Sequence, residues 1–560
     1  MKRLAFCTVM FAMTSLLNPG AAPASPPDAV YTAERIYTLD SAKPIAEAVA
    51  VKDGIITAVG SADEITALAE RETVVHRLEG AYVYPGFVDA HCHLLSLGLQ
   101  LDRLDLVGTS SFEEVVDMVM RKTRETAPGE WILGRGWDQN DWETPRWPTK
   151  EELDSVSPDI PVYLRRIDGH AAIANSAVLK IAGIDASTPD PYGGKILREK
   201  GEPTGILIDK AMDLVKDFIP ESSVETKRRA LLRAADLCIS AGLVGVHEAG
   251  VTGENLDLYC RMADSDELPF SLYAMIDGED STLVERLEAG PVVRRGGKLT
   301  IRSVKLFADG ALGSRGAALL EPYSDDPGND GLLMVEEDSL AAISEDALDH
   351  GFQVCVHAIG DRANRVVLNA YERAQRALDI EGDEARLRVE HAQVLSPSDI
   401  PRFAELGVIA SMQPTHCTSD MPWAPERLGP ERIRGAYAWA TLLKSGAHLA
   451  SGSDFPVESH DPLLGFYAAV TRRDTEGNPP EGWSPEERMT REQALASFTQ
   501  GAAYAAFEES VTGSLEPGKR ADMTVLSRDI MRVPPSDILD AEVVMTIVGG
   551  RVLYEREEIK

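Results

Sequence analysis

Two histidines stand one residue apart in Asp89-Ala90-His91-Cys92-His93, at the end of a short apolar run. If that run is a β-strand, its side-chain period of two sends His91 and His93 to one face and Cys92 to the other. Two imidazoles side by side can hold one metal ion, which is the first chemistry the sequence offers. Further along, Lys305 interrupts the apolar segment Ser303-Val304-Lys305-Leu306-Phe307-Ala308, where an ammonium group is unfavourable unless it is used. Other short apolar runs end in Val356-His357, in Glu390-His391 and in Ser451-Gly452-Ser453-Asp454. Taken singly, each fits a hydrogen-bonded core histidine, a salt-bridged lysine or a strand-capping aspartate. Taken together, they put a metal-competent or base-competent residue on five separate runs.

What must position these residues is a repeating framework. Eight short apolar runs recur in the middle of the chain, over residues 87–91, 243–248, 270–276, 304–308, 353–357, 387–391, 408–412 and 448–451. Helical patterns separate most of them, as at 223–240, 338–350 and 363–378. Strand–helix units repeated in this way predict an α/β fold, a (β/α)8 TIM-type barrel. The candidate residues then belong to strands one, four, five, six and eight, at the strand ends where barrel active sites lie. The gap between the first and second runs is too long for one helix, so an inserted subdomain is expected between strands one and two, over about residues 100–235. Both ends of the chain, over 28–84 and 510–556, alternate short β-like runs with turns, and each is too short to bury a core alone. Their pairing into one small β domain divides the chain into residues 25–85, a barrel over 86–509, and residues 510–560.

The composition narrows the partners. The formal charge of −34 over 560 residues repels nucleic acid and anionic membrane surfaces. Beyond the N-terminus no apolar stretch reaches the roughly 18 residues of a membrane span. The N-terminus itself reads as a secretory signal over residues 1–24: Lys2 and Arg3, an apolar run over 4–17, then Ala22-Pro23-Ala24 as a cleavage site. The expectation is an exported protein, periplasmic or extracellular. Of 6 cysteines, Cys7 lies in that leader, and the others are scattered without a CxxC pair, which argues against a disulfide framework or a four-cysteine zinc site.

The motifs as a set resemble the amidohydrolase superfamily, and within it the YtcJ-like group of family 3 that includes N-substituted formamide deformylases. The resemblance runs through residues 85–93, through strand four to Gly313-Ser314-Arg315, and through Val356-His357-Ala358-Ile359-Gly360-Asp361. It continues in Glu390-His391-Ala392-Gln393, in residues 451–456 and in residues 513–522, so it covers nearly the whole chain after the leader. The resemblance implies a β-sandwich built from both chain ends, a barrel, and a hydrolytic centre of one or two divalent metal ions, zinc foremost. It implies that His91 and His93 hold one ion and His357 and His391 a second. Lys305, carboxylated by CO2, would bridge them. Asp454 would touch the first ion and act as general base. A bound ion lowers the pKa of its water from about 15.7 toward roughly 7, which supplies a nucleophile. Around the mouth, Trp137 offers an apolar wall, while His170 and Arg315 could hold a carbonyl or carboxylate.

The expected activity is therefore hydrolysis of a C–N bond in a small amide-type substrate: an amide, N-formyl or N-acyl group. Deamination or carboxylic ester hydrolysis on the same centre is the nearer alternative, and a non-catalytic regulatory or binding protein keeping the fold is the more distant one. A homodimer is compatible with the sequence.

Overall fold

The structure is a computed structural model and describes residues 25–557 apart from 102, 128, 140–141, 167–170, 192–193 and 314. The expected leader at 1–24 and the candidate substrate residue His170 lie outside the described residues.

Eight parallel strands form the centre: β1 (Phe87–Cys92), β2 (Leu243–Val251), β3 (Ser271–Asp277), β4 (Leu299–Phe307), β5 (Gln353–Ala358), β6 (Arg388–His391), β7 (Ile409–Met412) and β8 (His448–Ser451). They are hydrogen-bonded in chain order, each to the next. Their residues are buried on both faces, as the wall of a barrel requires when helices cover it outside and side chains fill it inside. Strand β4 begins five residues before the apolar run at 304–308, because Thr300 and Arg302 break that run without breaking the strand. A further strand, Val292–Arg295, pairs antiparallel to β4 and was not expected from the sequence.

The seam between β1 and β8 closes the ring by single contacts instead of a ladder. The Asp454 amide donates to the His91 carbonyl at 2.8 Å, and the His93 amide donates to the Phe455 carbonyl at 2.8 Å. Between them, Asp89 accepts from the Ser453 amide at 3.1 Å and from its hydroxyl at 2.6 Å. Gly452 is needed here for space, since a Cβ would lie 2.5 Å from the His91 nitrogen and 2.6 Å from Asp89 Oδ1.

The helices follow local signals. Helix Val224–Ser240 starts where Ser223 accepts from the Thr226 amide, an N-cap that satisfies one of the free donors of the first turn. Helices Glu337–Asp349 and Asp361–Leu378 lie where the sequence pattern put them and pack on one another outside β5.

The chain ends share one seven-stranded sheet. Its pivotal strand, Val74–Pro85, runs parallel to Ala29–Tyr37 on one side and antiparallel to Met523–Leu526 on the other. Only Gly86 separates that strand from β1, and Val244 of β2 packs where its Cβ would be. Between β1 and β2, residues 104–209 build a six-stranded sheet of their own. Phe112, Ile132, Trp137, Val162 and Leu164 lie in its core. No helix among the described residues is long and apolar enough to cross a membrane.

Candidate metal centre

The ends of β1, β5, β6 and β8 bring His91, His93, His357, His391 and Asp454 together at one mouth of the barrel. Asp454 Oδ1 lies 3.2 Å from His93 Nε2 and 3.6 Å from His91 Nε2. The His91 and His391 rings are 5.0 Å apart, and His357 meets His391 edge-on at 4.5 Å. Both His391 and Asp454 adopt positive φ, 74° and 63°, so the backbone turns sharply where each strand ends.

Three of the imidazoles are locked in one tautomer. His91 Nδ1 contacts Glu390 Oε2 at 2.5 Å, His93 Nδ1 the Ala249 carbonyl at 3.1 Å, and His391 Nδ1 the Gln413 Oε1 at 2.7 Å. Each partner oxygen can only accept, so each Nδ1 carries the hydrogen and each Nε2 keeps its lone pair. Outer partners of this kind orient metal-binding histidines and raise their basicity. Gln413 is itself oriented by donating to the Ser411 carbonyl at 3.2 Å.

Behind His91 sits a buried charge pair. Arg388 donates to Glu390 at 2.7 Å, to the Ala90 carbonyl at 2.6 Å, to Ser411 at 3.0 Å and to His247 Nδ1 at 3.1 Å. One guanidinium thereby ties β1, β2, β6 and β7 across the lumen. Burial alone would raise the Glu390 pKa, but Arg388 and His91 hold it well below the usual carboxylate range. His247 thus serves Arg388. The signal for this pair was present in Arg388-Val389-Glu390, opposite charges at the strand period inside an apolar run.

Lys305 is buried, and its Nζ lies 3.9 Å from the centre of the Phe307 ring. Burial lowers its pKa, with the Glu390 and Asp454 carboxylates opposing. Burial would raise the pKa of Asp454, yet the imidazoles that face it, His93 first and then His91, His391 and His416, push it far below the ordinary value. Burial drives the His357 pKa down to about 3, helped by Lys305 and His91, so this imidazole is neutral.

The donor set fits a divalent cation. The Nε2 of His357, the Nε2 of His416 and Oδ1 of Asp454 are buried with no hydrogen-bond partner among the described residues, a state that is unfavourable unless something occupies the space between them. Two groups have ligand atoms close enough for one ion: His91, His93 and Asp454, and His391, His416 and Asp454. The sequence analysis did not place His416 in the site. The signal was weak: His416 follows β7 by four residues, outside any strand-end motif.

Trp137 takes another place than expected, and Arg315 is already paired. Trp137 is fully buried in the inserted sheet, donating from Nε1 to the Leu164 carbonyl at 2.9 Å and stacking near Trp142 at 5.9 Å. Its apolar bulk serves the insert's core and presents no wall to solvent. Arg315 is engaged by Asp325 through two hydrogen bonds of 3.2 and 2.9 Å, in a residue with φ 59°. Phe307, which the sequence reading left out of the site, is 41% exposed beside His357 at 5.4 Å and supplies the apolar surface there.

Comparison with known proteins agrees with this geometry. The profile of the amidohydrolase family matches residues 75–554. The chain is 37% identical over 530 residues to the putative amidohydrolase YtcJ of Bacillus subtilis, covering 93% of this chain and 98% of that one. It is 30% identical over 546 residues to the N-substituted formamide deformylase of Arthrobacter pascens, covering 93% and 97%. A crystal structure of an uncharacterized metal-dependent hydrolase from Pyrococcus furiosus superposes with a TM-score of 0.74 at 32% identity, over 90% of this chain and 100% of that one.

Proposed function

The chain belongs to the amidohydrolase family, and from that premise we propose that it hydrolyses a C–N bond in a small amide, N-formyl or N-acyl compound, with Asp454 as general base. The observation that carries this reading is the set of fixed, lone-pair-bearing imidazoles converging on one ionised carboxylate at the mouth of the barrel.

In this reading His91, His93 and Asp454 would hold one divalent ion, zinc by the chemistry of the donors, and His357 and His391 a second. Such ions, when bound, acidify water and polarise a carbonyl. Lys305, once carboxylated, would supply an anionic oxygen ligand to such ions. Burial lowers the pKa of its amine and so favours the neutral form, which would attack CO2 at carbon and release a proton to solvent, leaving an N-carboxylate. Asp454 accepts the proton of the attacking water and passes it to the departing nitrogen. Glu390 and Gln413 keep His91 and His391 aimed, and Phe307 holds an apolar flank against the substrate. The leader read at residues 1–24 supports action outside the cytoplasm.

The test is a panel of N-formyl amines, N-acyl amino acids, dipeptides, carboxylic esters and aminopurines, given to metal-replete protein. Amine and carboxylate should appear in equal amounts from one of the amide classes. Turnover confined to esters, or ammonia from aminopurines alone, would replace this reading with ester hydrolysis or deamination.

A further inference from the structure

We propose that His416 is itself a metal ligand, closing a second cradle with His391 and Asp454; this rests on reading the centre as metal-binding. His416 lies in the short helix Pro414–Asp420, directly after β7, a strand that supplies none of the six residues described above. Its Nε2 is 3.8 Å from Asp454 Oδ2, and its ring stacks with that of His391 at 5.8 Å and 18°. The ligand atoms of His391, His416 and Asp454 all lie within 4.8 Å of one another. Two ligands bound at about 2.1 Å to one tetrahedral ion are roughly 3.4 Å apart, so this triad needs only a small contraction to close on a cation.

Two ordinary explanations of a buried imidazole fail here. A core histidine satisfies its ring nitrogens with hydrogen bonds, but His416 Nε2 is buried and has no such partner among the described residues. The contact with Asp454 is long for an ion pair at 3.8 Å, and that carboxylate already faces His93 at 3.2 Å through its other oxygen. The two oxygens are divided: Oδ1 toward His91 and His93, Oδ2 toward His416. Asp454 therefore stands between two cradles.

The segment 413–416 also acts as a unit. Gln413 receives the His391 Nδ1 hydrogen at 2.7 Å, and its carbonyl accepts the His416 amide at 3.1 Å. One short stretch after β7 thus fixes the tautomer of one ligand and presents the other.

The experiment compares wild type, His416→Ala, His416→Gln, His391→Ala and the surface control His350→Ala. Each is stripped with chelator and reloaded with Co2+. Metal per chain, affinity by chelator competition, and the visible d–d absorption, which reports the ligand set, are measured alongside the melting temperature of each metal-free protein. His416→Ala should hold one ion at least about 10-fold more weakly and change the d–d spectrum, as His391→Ala does. His350→Ala should change neither. Metal-free melting temperatures near wild type would show that the fold is kept; if His416→Ala does not fold, His416→Gln, a much poorer ligand of similar length, is read in the same way. Unchanged affinity and spectrum in the substituted protein would overturn the proposal while leaving the metal-dependent reading intact. If wild type takes up a single ion, the same comparison decides on that ion. If it takes up none, the metal-dependent reading and this proposal fall together.

Discussion

In the proposed mechanism Asp454 has two tasks, holding a cation and moving a proton. The imidazoles around it keep it ionised, the form that can bind a cation and accept a proton. Asp454→Asn preserves shape and an oxygen toward the cradle but removes the basic site. We expect kcat to fall on the order of 10²–10⁴-fold with metal content retained; near-normal turnover would exclude Asp454 as the base. His247 gives a prediction in pH. Burial, with Arg388, holds its pKa well below 6.5 in the folded protein. The unfolded chain therefore binds a proton that the native state refuses, so the contribution to stability is complete above about pH 6.5 and is lost as pH falls below it. His247→Gln, which can still accept from Arg388, should make the stability of metal-free protein shallower in pH below that point, by up to about 1.4 kcal/mol per unit. Parallel urea-unfolding curves at neutral and acid pH for the two proteins would refute it. At this scale the sequence was legible wherever a polar residue broke an apolar run, as at His91, His93, Lys305, His357, His391 and Asp454. It was silent on His416, which stands in the helix after β7 and outside every strand-end run, and misleading on Trp137, because burial inside the insert leaves no periodic trace.

Among elements, the seam between β1 and β8 carries the most consequence. A polar clasp, Asp89 with Ser453, and two backbone bonds join the strands that present His91, His93 and Asp454. Gly452→Ala would drive a methyl into the His91 backbone and the Asp89 carboxylate. The expected loss is about 1–3 kcal/mol of stability, with weaker metal retention at His91 and His93. Chelator competition and urea unfolding would measure both, and a variant equal to wild type in each would show that the seam is soft. The strands themselves were readable because both faces are apolar, which gives short continuous runs. Strand β4 was read late by five residues for the opposite reason, polar residues at its entrance. The inserted sheet could be placed but not drawn, since its strands pair out of chain order.

At the scale of the molecule, charge and topology dominate. A net charge of −34 sets up a field that disfavours approach of anions. For an anionic N-acyl amino acid, kcat/KM should rise as salt is raised toward about 0.15 M, where the Debye length is about 8 Å. A neutral formamide should show no such rise. Equal salt responses for the two substrates would mean that the mouth is shielded from the global field. The pairing of the two chain ends was foreseeable, because neither end could bury a core alone. That pairing also sets an order of events on the ribosome. Strand Val74–Pro85 is made early, but its neighbour Met523–Leu526 emerges only after the whole barrel has been translated. For most of synthesis the nascent chain carries an open sheet edge one residue from β1, a template for wrong pairing. The sheet that leads through Gly86 into β1 is therefore complete only once the last residues of the chain have been made.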